Sequence, residues 1–246
     1  AGEHHRMSAA LELAPRARPA RKADALQLLG RSGNLTAWAF AAVQAPVLLE
    51  TRQFADPRGV FAETYSRRAA APLGVAEEFV QDNWSRSDRA GTVRGLHFQR
   101  RPHAQAKLVR VVRGRILDVA VDARRGSPTY GRWVAEELSA ANGRQLLIPV
   151  GCLHGFVTRE PRTEVVYKCS DVYAPSADGA VAWDDPDLAI DWGIASEAAL
   201  LSDKDRAAQA EAQGKHVELN EENQIVDKRA LLVGGLNVLK RKEPQE

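Results

Sequence analysis

Between Val47 and Asp205 the hydrophobic residues come in short runs, broken at close intervals by turn residues. The runs read VLLETRQF, AETYS, EEFVQDNWS, TVRGLHF, KLVRVVRG, RILDVAVD, WVAEELS, QLLIP, GFVT, TEVVYKCSDVYA and GAVAW; the breaks include DPRG, SDRAG, RRGSP, SAANGR and PVG. Many short β-rich segments with frequent turns and no sustained helical period predict an antiparallel sandwich or barrel. KLVRVV, the turn Arg113-Gly114 and RILDVAVD together predict a hairpin. In the second of those strands Leu117, Val119 and Val121 share one face, and Asp118 and Asp122 share the other. An acidic face of this kind either lines a polar cavity or is simply wetted; the pattern allows both.

The pattern changes at both ends. Residues 1–45 read as a mobile extension, because Ala14–Lys22 (APRARPARK) is rich in Pro, Arg and Ala and cannot bury a core. Residues 46–205 form the folded domain. Residues 206–246 turn charged and helix-prone, and read as a helical or partly disordered extension.

Composition narrows the functional classes. The chain has 246 residues, 44% of them hydrophobic and 27% charged, as in an ordinary globular protein. A net charge of +2 leaves no electrostatic footprint for nucleic acid. No apolar run is long enough to cross a bilayer, and the expected location is cytoplasmic. The two cysteines, Cys152 and Cys169, are too few for a disulfide framework and lack zinc spacing.

The chemistry concentrates in RGLHFQ, residues 94–99. An imidazole can take a proton from carbon and give it back, and His97 is the first candidate. Arg94 suits a phosphate, and Lys107 suits an oxygen that becomes negative. His154 lies in the turn-rich IPVGCLHGF, and Tyr167 among β-branched neighbours in TEVVYK. Taken singly, each of these is an ordinary core or surface residue. Together they supply base, acid and cation for proton abstraction beside a carbonyl. A metal set of His97, His103 and His154 is disfavoured because no His-x-His occurs on one strand. Cys152 is read as a turn cysteine, since a histidine two positions away does not set a base against a thiol.

The series FADPRGVFAETY, FVQDNWS, VRGLHFQ, QAKLVR, GRILDVAVDAR, GSPTYGRW, IPVGCLHGFV, VVYKCSDVYAP and LSDKD resembles the dTDP-4-dehydrorhamnose 3,5-epimerases of the cupin superfamily, from about Val47 to Asp205. The resemblance implies an all-β, cupin-type double-stranded β-helix, or jelly roll, with short peripheral helices, working as a homodimer. It implies a dTDP-4-keto-6-deoxyhexose substrate inverted at carbons 3 and 5, with no cofactor and no metal. By position, His97 matches the base, Tyr167 the general acid, Lys107 the enolate-stabilising cation and Asp205 the carboxylate that orients the histidine. Arg58 and Glu63 match nucleotide contacts made from the other subunit. Gln81, Asp82 and Asn83 match the next binding segment, and Arg94, His154, Asp178 and Lys204 match further substrate contacts. Tyr173 resembles a ring at the base or sugar end of the site. At 178 the family often has Glu, and Asp is shorter. Two alternatives stand beside this: an epimerase acting at one carbon, and a non-catalytic cupin that binds a nucleotide sugar.

Overall fold

The computed structural model describes residues 26–40 and 46–211; the arm expected at Ala14–Lys22 and the tail past residue 211 lie outside the described residues. Two antiparallel sheets face each other. The larger has seven strands in the order β1 (Leu26–Ser32), β2 (Leu35–Phe40), β3 (Val47–Thr51), β11 (Arg144–Ile148), β8 (Lys107–Arg113), β13 (Thr163–Cys169) and β6 (Gln81–Ser87). The smaller has five, in the order β10 (Trp133–Ser139), β9 (Arg115–Asp122), β12 (Cys152–Thr158), β7 (Val93–Gln99) and β14 (Asp178–Ala180). A small hairpin, β4 (Phe54–Asp56) with β5 (Gly59–Phe61), stands apart from both. Two short helices, α1 (Arg67–Ala70) and α2 (Asp203–Glu211), are peripheral. This is the expected jelly-roll sandwich.

The core has three layers, because both sheets are covered outside as well as inside. Between the sheets, Val109, Val111, Leu146, Ile148 and Val165 meet Ile116, Ala120, Val134, Leu138 and Phe156. The outer face of the small sheet, with Leu96, Val119, Val121 and Leu153, is covered by Val181, Trp183, Leu188 and Trp192. The outer face of the large sheet packs Leu35, Val47, Leu49 and Leu147 against Ala69, Ala70 and Leu73. Burial on both faces explains why β12 is buried at every position and does not alternate.

Two expectations are revised. The segments KLVRVV and RILDVAVD do not form a hairpin. They lie in different sheets, β8 beside β11 and β13, and β9 beside β10 and β12. Gly114, at φ 78, turns the chain from one sheet to the other, and a side chain there would run into Thr163. The boundary at residue 45 also moves. Residues 26–40 form a hairpin that pairs through β2 with β3 and continues the large sheet.

The acidic face of β9 turns inward. Leu117, Val119 and Val121 face the outer cover, while Asp118 and Asp122 are fully buried. Asp122 pins the loop that follows it: its carboxylate accepts from Arg124 Nε at 2.9 Å, from Thr129 Oγ1 at 2.6 Å and from Ser127 Oγ.

Candidate active site

The space between the sheets opens toward one end of the sandwich into a cavity with two lobes. The larger, about 610 Å³, runs from Ser85, Arg86, Ser87 and Arg89 past Arg94 to His154, Phe156 and Asp205. The smaller, about 420 Å³, is lined by Gln81, Asn83, Gln99, Gln105, Tyr173, Asp178 and Lys204. His97, Lys107 and Tyr167 line both lobes, and so mark their junction. His97 comes from the small sheet, and Lys107 and Tyr167 from the large one. The imidazole and the phenol therefore face the cavity from opposite walls.

His97 is positioned by an unusually close approach of two backbones. A Cβ on Gly95 would lie 2.4 Å from Gly155 Cα, so β7 and β12 can meet there only as glycine against glycine. In the resulting register His97 lies opposite His154. His97 Nε2 is 2.6 Å from Asp205 Oδ1, and the other carboxylate oxygen of Asp205 accepts from Ser202 Oγ at 2.8 Å. Burial alone would raise the Asp205 carboxyl. The hydrogen bonds from His97 and Ser202, with the nearby charge of Lys204, outweigh it and hold the group below the ordinary carboxylate range. An ionised Asp205 accepts a hydrogen bond from the Nε2–H, which leaves Nδ1 of His97 as the basic nitrogen.

His154 is paired in the same way, with Nε2 at 2.8 Å from Asp118 Oδ1. Burial pushes the His154 imidazole down, against the pull of Asp118. It pushes the Asp118 carboxyl up, against the pull of His154 and Lys107. The second oxygen of Asp118 is buried with no hydrogen-bond partner. Asp118 was not singled out from the sequence as a site residue. The signal was its place on the acidic face of RILDVAVD, which alternation alone could not assign to interior or solvent.

Burial also pushes the Lys107 ammonium down and the Tyr167 phenol up. Cys169 raises the phenol further, and Arg94 opposes. In the smaller lobe Tyr173 is anchored by its backbone N–H to Gln81 Oε1 at 2.9 Å, and its hydroxyl lies 3.4 Å from Asp178. Asp178 also pairs with Lys204. Gln81 and Asn83 point inward from β6 and are linked to each other at 3.1 Å.

Three expected residues are not in this cavity. Asp82 falls between Gln81 and Asn83, so strand alternation turns it to the outer face, where it pairs with Lys168 at 3.0 Å. Arg58 sits at the turn of the β4–β5 hairpin, its side chain 89% exposed and paired with Asp56. Glu63 follows that hairpin and lines neither lobe. Among the lining residues the sequence did not flag are Ser85, Ser87 and Arg89. Alternation along β6 from Gln81 would have found the two serines.

Among the described residues no three His, Cys, Asp or Glu side chains are grouped to hold a metal. His103 pairs instead with Asp171 at 3.4 Å. The Cys152 thiol is buried and pushed up to about 12, as expected of an inert packing cysteine. No described helix is long and apolar enough to cross a membrane.

Comparison with known proteins agrees with this geometry. A family model described as dTDP-4-dehydrorhamnose 3,5-epimerase matches residues 41–213. An enzyme of that name from Pseudomonas aeruginosa is 51% identical over 170 residues, covering 69% of this chain and 92% of the relative. The crystal structure of a Legionella pneumophila 3,5-epimerase in complex with dTDP-4-keto-L-rhamnose superposes with a TM-score of 0.65 at 39% identity, covering 75% of this chain and 92% of that one. A 3'-monoepimerase from Streptomyces bikiniensis in complex with dTDP-quinovose gives a TM-score of 0.62 at 34% identity, covering 67% and 83%.

Proposed function

The chain belongs to the dTDP-4-dehydrorhamnose 3,5-epimerase family, and on that premise we propose that it inverts carbons 3 and 5 of dTDP-4-dehydro-6-deoxy-D-glucose, giving dTDP-4-dehydro-L-rhamnose. The observation that carries this reading is the junction of the two lobes, where an imidazole, a phenol and an ammonium border one space from two facing sheets.

Each step uses a group in that junction. A proton on a carbon beside a ketone is too weakly acidic for imidazole alone. Its removal by His97 becomes feasible if the developing enolate oxygen meets the Lys107 ammonium in a water-poor site, an effect on the order of 3 kcal/mol for one well-placed donor. Asp205 fixes the imidazole so that Nδ1 faces the substrate. Inversion requires the proton to return on the opposite face, and Tyr167, held protonated by burial, stands on the opposite wall. The ketone at carbon 4 is the electron sink for both inversions, so the chemistry calls for no redox cofactor. The smaller lobe, with the Tyr173 ring, Gln81 and Lys204, takes the nucleotide end.

The reading includes a homodimer. Val60 and Phe61 of the β4–β5 hairpin are 63% and 70% exposed, and Arg58 stands between the strands. An exposed apolar hairpin with a cation at its turn fits a role in the partner's nucleotide site. The reading also includes a cytoplasmic location and no nucleic-acid partner.

The test is NMR of the nucleotide ketosugar in heavy water. Label at both carbons supports 3,5-epimerisation. Label at one carbon favours the second reading, a single-carbon epimerase, which the similarity to the 3'-monoepimerase keeps in view. Tight binding without label would make the protein a non-catalytic binder.

A further inference from the structure

The loop between β13 and β14 carries Tyr173 at the border of the smaller lobe. Its backbone is held residue by residue. Gln105 Nε2 donates to the Asp171 carbonyl at 2.8 Å. Gln99 Nε2 donates to the Val172 carbonyl at 3.1 Å, and Gln99 Oε1 accepts from the Ala174 N–H at 2.8 Å. Between those two bonds, the Tyr173 N–H goes to Gln81 Oε1. Gln99 thus brackets Tyr173 from β7 while Gln81 holds it from β6, so both sheets fix one residue. Gln99 Nε2 also donates to the His103 carbonyl at 2.6 Å, which ties the loop to the turn after β7. Gln99 is 5% exposed, yet the Tyr173 ring on the backbone it secures is 57% exposed. An aromatic ring held in the open on a bonded backbone is ordered before a ligand arrives, and a flat base stacks on it at a lower entropic cost.

We propose that Gln99 is a positioning residue for nucleotide binding, one that acts through the Tyr173 loop and holds its ring as a preformed platform for the nucleobase. The proposal rests on the assignment of the nucleotide to the smaller lobe. Gln99 borders that lobe, but its amide is engaged by the main chain of the loop and of His103, so it works on the ligand through Tyr173. Gln99 and His97 stand two residues apart on one face of β7. A single strand therefore sets both the imidazole at the reacting carbons and the ring at the far end of the substrate.

The experiment is a double-mutant cycle on the full chain, read as dTDP affinity by calorimetry. Tyr173→Ala removes the ring, and Gln99→Leu removes the clamp at nearly constant volume. Each alone should weaken dTDP about tenfold. In the Tyr173→Ala background, Gln99→Leu should add less than about twofold, because no ring is left to position. In steady-state kinetics Gln99→Leu should raise KM and leave kcat within about twofold. Losses that multiply independently, or a fall in kcat at constant KM, overturn the proposal. Hydrogen exchange provides a reading that needs no variant. In the ligand-free protein the Tyr173 and Ala174 amides should exchange at least about 100-fold more slowly than unprotected ones, and free exchange there overturns the preformed platform. Coupled losses of dTDP binding without turnover count against the epimerase reading alone. Absence of dTDP binding to the unaltered chain overturns this proposal together with the nucleotide assignment.

Discussion

The ammonium of Lys107 has no hydrogen bond or ion pair among the described residues, although Asp178 and Asp118 are near enough to act on its charge. A charge kept without a partner in a desolvated place is held ready for charge that arises during reaction. Lys107→Met should lower kcat by about 10²–10³-fold with little change in KM, as steady-state kinetics would show. The pH profile carries a sign. Burial pushes the Lys107 ammonium below the ordinary lysine range and the Tyr167 phenol above the ordinary tyrosine range. The alkaline limb of kcat should therefore fall below the ordinary lysine range, and a limb unchanged in Lys107→Arg would refute its assignment to this residue. Asp205→Asn should cost roughly 10²-fold or more by releasing the wrong tautomer of His97, with the overall fold unchanged by circular dichroism.

The strands set those side chains by register, and the most constrained point is the glycine contact between β7 and β12. Gly95→Ala would place a Cβ against the Gly155 backbone and at a φ of 135 that side chains rarely adopt. It should cost about 3 kcal/mol, seen as a fall in Tm of roughly 6–12 °C. The loop after β9 offers a second check. Burial would raise the Asp122 carboxyl, but Arg124, Ser127 and Thr129 hold it below its ordinary value. The stability this adds is present above the unfolded pKa near 3.8 and is lost as pH falls below it toward the lower folded value. Asp122→Asn should thus lose stability at pH 7, by about 3 kcal/mol, and show a flatter acid limb in denaturation curves. Much of this scale was legible in the sequence. Alternation and turn residues located most strands, and the motif set placed His97, Lys107, Tyr167 and Asp205, which the fold brings together from four elements. What alternation could not carry was the sheet to which a strand belongs. Gly114 looks like a hairpin turn locally, and only the partners of β9, at residues 133–139 and 152–158, show that it is a corner. The same limit hid Asp118, whose environment is set by a sheet formed elsewhere in the chain.

At the scale of the molecule, the proposed homodimer would place the β4–β5 hairpin in a site shared between two subunits. Phe61→Asp should shift sedimentation toward the monomer and lower activity together. A complementation experiment separates structure from chemistry. Arg58→Ala and His97→Ala dimers, each impaired alone, should regain activity when dissociated and reassociated, since one site of the hybrid then has both residues intact; no recovery would place Arg58 in its own subunit's site. At one edge of the seven-stranded sheet, the hairpin of residues 26–40 lies outside the stretch matched to the family, yet bonds directly to β3. Ribosomal synthesis releases β1, β2 and β3 in succession, while the other neighbour of β3 is not made until Arg144. A nascent chain can therefore close a local meander over its stickiest early strand long before the barrel exists, so that the leader segment serves as a built-in guard against premature association.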